Sequence, residues 1–501
     1  MTAQRRRILI VMCLALATVV SAVSSLNVAL PDMARDTGAT PTQLQWVVDA
    51  YALVFAGLLL FAGALGDRVG RRRVLLGGLG IFGVGALAAT TVDDPGALIA
   101  VRGVMGLGAA LIMPTTLSII TSTFPPGERD RAVGAWAGVA GGSALLGLLV
   151  SGALLEIASW PSVFALNVVL AAAAVLGTLR VVPAREDREP AALDVGGAVL
   201  SALALFALVW AFIEGPQRGW TDSLILGGFV AAVVLGVAFV AWELRRDEPM
   251  LDPRLFGLRG FTAGSLSVFV QFFAAFGLIF VLLQFLQLVL GYSPLEAGAA
   301  LAPVAAVMIT VAPRVPRLVE RVGVRPVGPV GLGLMAIGLV IISTMDRSSS
   351  YWHLLAGGLV FGLGMAFATT PATAAIVDSL PEEKQGVASA VNDASREVGG
   401  ALGIAVIGSV LADHVGHLGP GMNPADFVDG FGAALLIAAA VLAIGAVIVV
   451  LRAPGRYIDS GASTPRRSRE RAITRFARTQ ITRRTSSSPP SSAAPTTRQS
   501  R

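Results

Sequence analysis

Apolar residues recur along the chain in runs of about 20, separated by short stretches that hold most of the charge. At 1.5 Å per helical residue, such a run crosses the ~30 Å hydrocarbon core of a bilayer. The pattern predicts helical spans over residues 8–30, 44–66, 74–92, 96–122, 132–156, 161–182, 193–214, 222–243, 260–290, 295–313, 326–345, 351–377, 386–412 and 427–451, a total of 14. The run at 260–290 is long enough to tilt or to extend beyond the membrane. Arg5 to Arg7, then Ile8 to Val20, then Ser21-Ala22, have the form of a signal peptide. The apolar run continues to about Leu30 and further spans follow, so a first transmembrane helix is the expected element.

Composition supports this pattern. Hydrophobic residues make up 54% and charged residues 14% of the 501, with mean hydropathy +0.74. Soluble domains are about 25% charged, so a soluble multidomain enzyme is excluded. The net charge of +6 does not imply a nucleic-acid partner, because residues 452–501 alone hold 12 Arg against Asp459 and Glu470. That Arg-, Ser- and Pro-rich tail cannot bury a core and is expected to be disordered. Attraction to anionic lipid and passive solvation both remain open for it. The single cysteine, Cys13, excludes an intrachain disulfide. Lys384 is the one lysine, against 37 Arg. Such a bias reads as GC-rich coding and points to a bacterial origin.

Arginine placement sets the expected orientation. With the N-terminus inside, the inner segments before the tail carry 21 Lys or Arg, whereas the outer loops carry three: Arg35, Arg218 and Arg347. Both termini are therefore expected in the cytoplasm. Trp46, Trp160, Trp220 and Trp352 then fall at outer span ends, where interfacial anchors belong.

A repeat runs through the chain. Gly63-Ala64-Leu65-Gly66-Asp67-Arg68-Val69-Gly70-Arg71-Arg72 follows span 2, and Pro316-Arg317-Leu318-Val319-Glu320-Arg321-Val322-Gly323-Val324-Arg325 follows span 10. The shared Leu, acid, Arg, Val, Gly and final Arg keep a constant offset of 253. Gly106-Leu107-Gly108 in span 4 likewise matches Gly362-Leu363-Gly364 in span 12, with Pro114 and Pro371 following. The repeat is thus eight spans long, as two six-helix halves separated by two extra helices require. The expected division is an N-terminal half over 1–182, two inserted helices and a linker over 183–259, a C-terminal half over 260–451, and the tail over 452–501. Secondary transporters are commonly built this way, with substrate bound at the repeat interface near mid-membrane.

The segment Gly63 to Arg73 resembles the loop 2–3 signature of the major facilitator superfamily, most closely its 14-span drug:proton antiporter branch (the EmrB/QacA type). Asn27-Val28-Ala29-Leu30-Pro31, Gln45-Trp46-Val47-Val48-Asp49-Ala50-Tyr51 and Arg102-Gly103-Val104-Met105-Gly106-Leu107-Gly108 also fit, as do Pro249 to Phe256 and Gly291-Tyr292-Ser293-Pro294. The resemblance covers about residues 8–452. It implies an all-α polytopic membrane protein of major facilitator fold and a conformational-switch role for Gly63, Asp67, Arg68, Gly70 and Arg71. The composition-only alternative for that turn is a positive-inside topology signal. Three positions depart from the branch. Ala22 stands where span 1 usually has an acid, Met105 where span 4 often has Gln, and Leu148 where span 5 usually has the Pro of its antiporter motif.

Ionisable side chains inside a span are costly and mark function. Asp49 and Arg102 lie at matching depths of ~8 and ~9 Å from the outer ends of spans 2 and 4, so an ion pair between them is expected if the spans touch. Asp393 and Glu397 lie ~10 and ~16 Å into span 13, on one helical face at i,i+4. Each disfavours ionisation of the other, as a proton carrier requires. Arg396 opposes this if it pairs with Asp393. Asp49, Arg102, Asp393 and Glu397 are therefore the candidate proton-coupling residues, and Asn27 and Arg396 are candidates for lining a substrate cavity. Gly78-Leu79-Gly80-Ile81-Phe82-Gly83 matches a dinucleotide fingerprint but lies mid-span, where close helix packing explains it. His414 and His417 alone make a weak metal site. With no P-loop and no G-x-S-x-G, neither ATP-driven transport nor an enzyme is expected, and no cofactor or metal.

The expected function is proton-coupled export of amphipathic small molecules, cationic ones among them, by alternating access in a bacterial inner membrane. The expected partners are the substrate, protons and membrane lipid, with the protein acting as a monomer. Export of one endogenous metabolite, such as an antibiotic or siderophore, is the alternative within transport. A non-transporting sensor on the same scaffold is the alternative outside it.

Overall fold

The structure is a computed structural model that describes residues 2–183, 193–247, 249–380, 385–415 and 422–452. Fourteen of its helices are long and apolar enough to cross a membrane. Spans 1–7 are Ala3–Thr37, Pro41–Val69, Arg71–Ala89, Pro95–Thr123, Pro126–Leu155, Pro161–Val181 and Val195–Arg218. Span 8 is Ser223–Glu243 and span 9 is Arg259–Leu288. Span 10 runs over 294–322 as the segments Pro294–Ala300, Ala302–Val311, a 3-10 turn and Val315–Val322. Spans 11–14 are Val324–Ser343, Tyr351–Asp378, Gln385–His414 and Pro424–Arg452. Helices satisfy their own backbone, which hydrocarbon demands.

Their starts are written in the sequence. Pro opens spans 2, 4, 5, 6, 10 and 14, at a position where its missing N–H costs nothing. Thr40 with Gln43 and Ser293 with Glu296 form capping boxes at the two positions related by the repeat, ahead of spans 2 and 10. At the other end of these spans a single residue turns the chain. Gly70 (φ 109°) joins span 2 to span 3 and Gly323 (φ 87°) joins span 10 to span 11. Only glycine adopts such angles without strain. The repeat extends to packing. A Cβ on Gly78 would lie 2.9 Å from the Gly108 carbonyl oxygen, and one on Gly331 would lie 2.6 Å from that of Gly364. The glycine run at 78–83 is thus a helix-packing surface, as expected. Gly106 meets the Tyr51 backbone and Gly362 meets Val304, again at equivalent places.

The two halves meet at the end opposite the Arg-rich loops. Gln287 Nε2 of span 9 donates to the Val28 carbonyl of span 1 at 3.0 Å. Gln45 Nε2 of span 2 donates to the Ile404 and Ala405 carbonyls of span 13, at 3.0 and 2.6 Å. Spans 5 and 10 touch where Gly298 approaches Leu148 and Gly152 approaches Leu295. Toward the Arg-rich end the segment Ala302–Val311 buries no residue. The halves are therefore in contact at the end opposite the Arg-rich loops.

Span 7 packs on spans 2 and 13, and span 8 packs on span 7. Leu53, Val209, Ile213 and Ala405 form the small apolar cluster of that seam. Span 8 leaves Val230, Val233, Val234 and Val237 exposed, as a lipid-facing helix does.

The long run at 260–290 forms span 9, which is buried along most of its length because spans 12, 13 and 14 surround it. Of the four tryptophans placed as anchors, Trp220 and Trp352 are exposed, but Trp160 is buried against Phe164 and Trp46 donates to Glu214 Oε1. The tail beyond Arg452 and His417 lie outside the described residues.

Candidate functional site

Span 13 brings three charges together. Arg396 Nε donates to Glu397 Oε1 at 3.1 Å, and Arg396 Nη2 lies 3.7 Å from Asp393 Oδ1. The i,i+3 spacing allows the second contact, and the adjacent residue supplies the first. Glu397 is buried, and the guanidinium reaches across to Met113 Sδ of span 4 at 3.6 Å while lying 5.7 Å from the Phe272 ring centre of span 9. Arg396 therefore faces both halves. Arg396 thus pairs with both acids, and Glu397 is part of the buried group.

Asp49 and Arg102 do not pair. Both are buried, yet neither Asp49 oxygen has a hydrogen-bond partner, and Arg102 uses only Nε, donating to the Val47 carbonyl at 3.0 Å. Its guanidinium lies over the Tyr51 ring, 4.3 Å from the centre. The depths match, but the faces do not. Val47 and Tyr51 share one face of span 2, whereas Asp49 is about 200° round from either. Asp49 shares its face with Gln45 and Leu53, the face that meets spans 13 and 7. Asp49 thus lies on the face of span 2 that packs against the Ile404–Ser409 stretch of span 13.

Asn27 is also buried. Its Nδ2 donates to the Val23 carbonyl at 2.9 Å and its Oδ1 has no partner. The next residue, Val28, accepts the Gln287 hydrogen bond that joins spans 1 and 9.

At the turn after span 2, Asp67 Oδ1 accepts from Arg71 Nε at 3.0 Å, and Arg71 Nη1 donates to the Ser118 carbonyl of span 4 at 3.3 Å. Asp67 and Arg71 therefore tie spans 2, 3 and 4 together around Gly70. Arg68 is exposed, and Gly63 makes only ordinary contact with Pro114.

Several uncharged polar residues also join the spans. Tyr51 carries Arg102 on its ring and donates its hydroxyl to the Val19 carbonyl at 3.3 Å. Gln271 accepts from Thr369 at 2.8 Å and joins spans 9 and 12; Asn392 accepts from Thr373 at 3.1 Å and joins spans 13 and 12. Uncharged polar side chains inside apolar runs were the available signal. Among the described residues no group of three or more His, Cys, Asp or Glu is placed to hold a metal.

Comparison with known proteins bears on this arrangement. A sequence model described as the Major Facilitator Superfamily matches residues 12–309 and 264–490. The chain is 36% identical over 401 residues to the tetracenomycin C resistance and export protein of Streptomyces glaucescens, covering 78% of this chain and 73% of that one. It is 35% identical over 391 residues to the methyl viologen resistance protein SmvA of Salmonella typhimurium, covering 77% and 78%. A solved peptide transporter, POT in complex with sulfate, superposes with a TM-score of 0.64 at 17% identity, covering 90% and 96%, which speaks to fold alone. The repeat, the 14 spans and these relatives agree: the chain is a multi-pass membrane protein that belongs to the Major Facilitator Superfamily, in its 14-span drug-resistance branch.

Proposed function

We propose that this protein exports amphipathic small molecules, cationic ones among them, across a bacterial cytoplasmic membrane by proton-coupled alternating access, as a monomer with both termini inside. Residues 1–182 and 260–451 act as the two moving halves, and residues 183–259 supply the inserted pair and linker. The export reading rests on relatives named for resistance and export. The contacts that join the halves lie at the end opposite the Arg-rich loops, which the positive-inside rule assigns to the outer side.

The observation that carries proton coupling is the charged group on span 13. Two carboxylates and one guanidinium leave an uncompensated negative charge when all are ionised, and a single proton on Asp393 or Glu397 restores balance. Arg396 contacts span 4 as well, so movement of the halves changes what surrounds that proton. Asp49, buried without a hydrogen-bond partner on span 2, is a second acceptor. Asp67 and Arg71 couple the shift of span 2 to span 4. The test is transport of a panel of planar cations and antibiotics in proteoliposomes. Accumulation driven by an imposed pH gradient supports the reading; accumulation that ignores the gradient removes proton coupling from it.

A further inference from the structure

A second pair of carboxylates lies outside the space between the halves, at the Arg-rich end of the inserted helices. Asp194 caps span 7 and Glu243 ends span 8; they are 4% and 0% exposed. Burial this complete is rare for acids without partners. Asp194 Oδ1 is fully engaged. It accepts from the Gly197 amide at 2.8 Å and the Trp242 indole at 2.9 Å, and Arg246 Nη2 lies 3.5 Å away. Glu243 Oε2 accepts from the Leu251 amide at 3.4 Å. The other two oxygens, Asp194 Oδ2 and Glu243 Oε1, are buried and have no partner. Both face the same spot beside Gly197, where a Cβ would lie 2.8 Å from the first and 2.5 Å from the second. The absent side chain is what leaves room for the two acids to approach.

We propose that Asp194 and Glu243 form a proton-binding site that holds one proton between them. Three donors on Oδ1 favour the ionised form of Asp194. Two buried anions facing one another are unfavourable, so the second acid takes a proton, as paired carboxyls do elsewhere. The proton sits on Glu243 Oε1 and is donated to Asp194 Oδ2, which satisfies both orphaned oxygens at once. It comes from and returns to water on the Arg-rich side, where Arg246 is the exposed edge of the cluster. Among the described residues the cation against the pair is Arg246; on the following chain Asp252 and Arg254 pair with each other at 4.0 Å. Arg254 also donates to the Leu244 carbonyl.

The pair clasps the chain. Asp194 belongs to span 7, Glu243 to span 8, and Leu251 to the segment that enters span 9, where Leu255 packs with Phe261, Ala372 and Ile376. Loss of the proton sets two anions against each other and loosens the base of the inserted pair from that segment. The site needs no substrate and stands apart from the span 13 acids, so its test is separate from that of the transport reading.

The experiment is a pH titration of the protonated-carboxyl infrared band of the full-length protein in lipid nanodiscs, from about pH 5 to about pH 9. The expected result is a band, absent from Glu243→Gln, that persists at neutral pH and disappears on alkalinisation. Asp194→Asn should move its loss to lower pH, because the opposing anion is gone, and Arg246→Gln should move it to higher pH. These opposite shifts keep the proposal testable if Glu243→Gln does not fold, and a merely structural contact would produce neither. A wild-type spectrum without the band, or a titration unmoved by all three variants, overturns the proposal. A titration displaced by sodium at fixed pH also overturns it in favour of a small-cation site.

Discussion

Replacing Arg396 with Met should expose how strongly span 13 depends on its central cation. The guanidinium lies 3.1 Å from Glu397 Oε1 and 3.7 Å from Asp393 Oδ1, and its side chain is 21% exposed against 6% for that of Glu397. At an effective dielectric of ~20 each contact is worth about 4–5 kcal/mol before desolvation. Removing one member of a buried ion set strands the others at a cost of about 3–5 kcal/mol, whereas neutralising the whole set is often close to neutral. Arg396→Met alone should therefore lose about 3–5 kcal/mol. Arg396→Met combined with Asp393→Asn and Glu397→Gln should recover most of it. Glu397→Gln alone should cost less than Arg396→Met, because Arg396 keeps Asp393. Lowering the pH should shrink the Arg396→Met deficit, since protonation relieves a stranded carboxylate. Denaturant unfolding of the purified variants in mixed micelles, assembled as a mutant cycle, reads these differences. If Arg396→Met proves as stable as the triple variant at neutral pH, the three charges are not coupled as described.

Three other outcomes follow. Gly331→Val should cost about 1–3 kcal/mol by forcing spans 11 and 12 apart, because its Cβ would sit 2.6 Å from the Ala368 amide nitrogen; Gly333→Val, with nothing within 4 Å of its Cβ, is the control in the same unfolding assay. Asp67→Asn removes the anion that holds Arg71 and should lower turnover several-fold with little loss of equilibrium substrate binding; binding lost in step with transport would count against the switch role. A cysteine in place of the exposed Arg68, in a Cys13→Ser background, should react with a membrane-impermeant thiol reagent in inverted vesicles and not in intact cells, and the opposite result would reverse the topology.

The spans were legible because bilayer thickness imposes one length on every crossing and because Pro, Gly and capping boxes mark their ends. The repeat was legible for a related reason. Gly70 and Gly323 turn the chain at angles other residues avoid, and Gly108 and Gly364 pack where a side chain would clash. The span 13 group was visible as charge inside an apolar run, and i,i+3 geometry then brought Arg396 to Asp393. Helix azimuth was not visible. Depth alone matched Asp49 to Arg102, but Arg102 meets the Val47–Tyr51 face and Asp49 lies on the opposite one. Nor was the Asp194–Glu243 pair visible. Each residue sits at a span end, where an acid reads as a cap or an interfacial charge, and only the packing of spans 7 and 8 around Gly197 buries them together.

The central claim is that protons drive transport through the span 13 acids, and one comparison addresses it. Wild type and the Asp393→Asn/Glu397→Gln variant are reconstituted in the same orientation, and uptake of one transported dye is followed with and without an imposed pH gradient, alongside downhill exchange without a gradient. The account predicts that the variant loses gradient-driven accumulation while keeping part of the downhill exchange, because an amide preserves size and hydrogen bonding but cannot titrate. A variant that still concentrates the dye as wild type does would contradict the claim and leave Asp49 as the coupling acid.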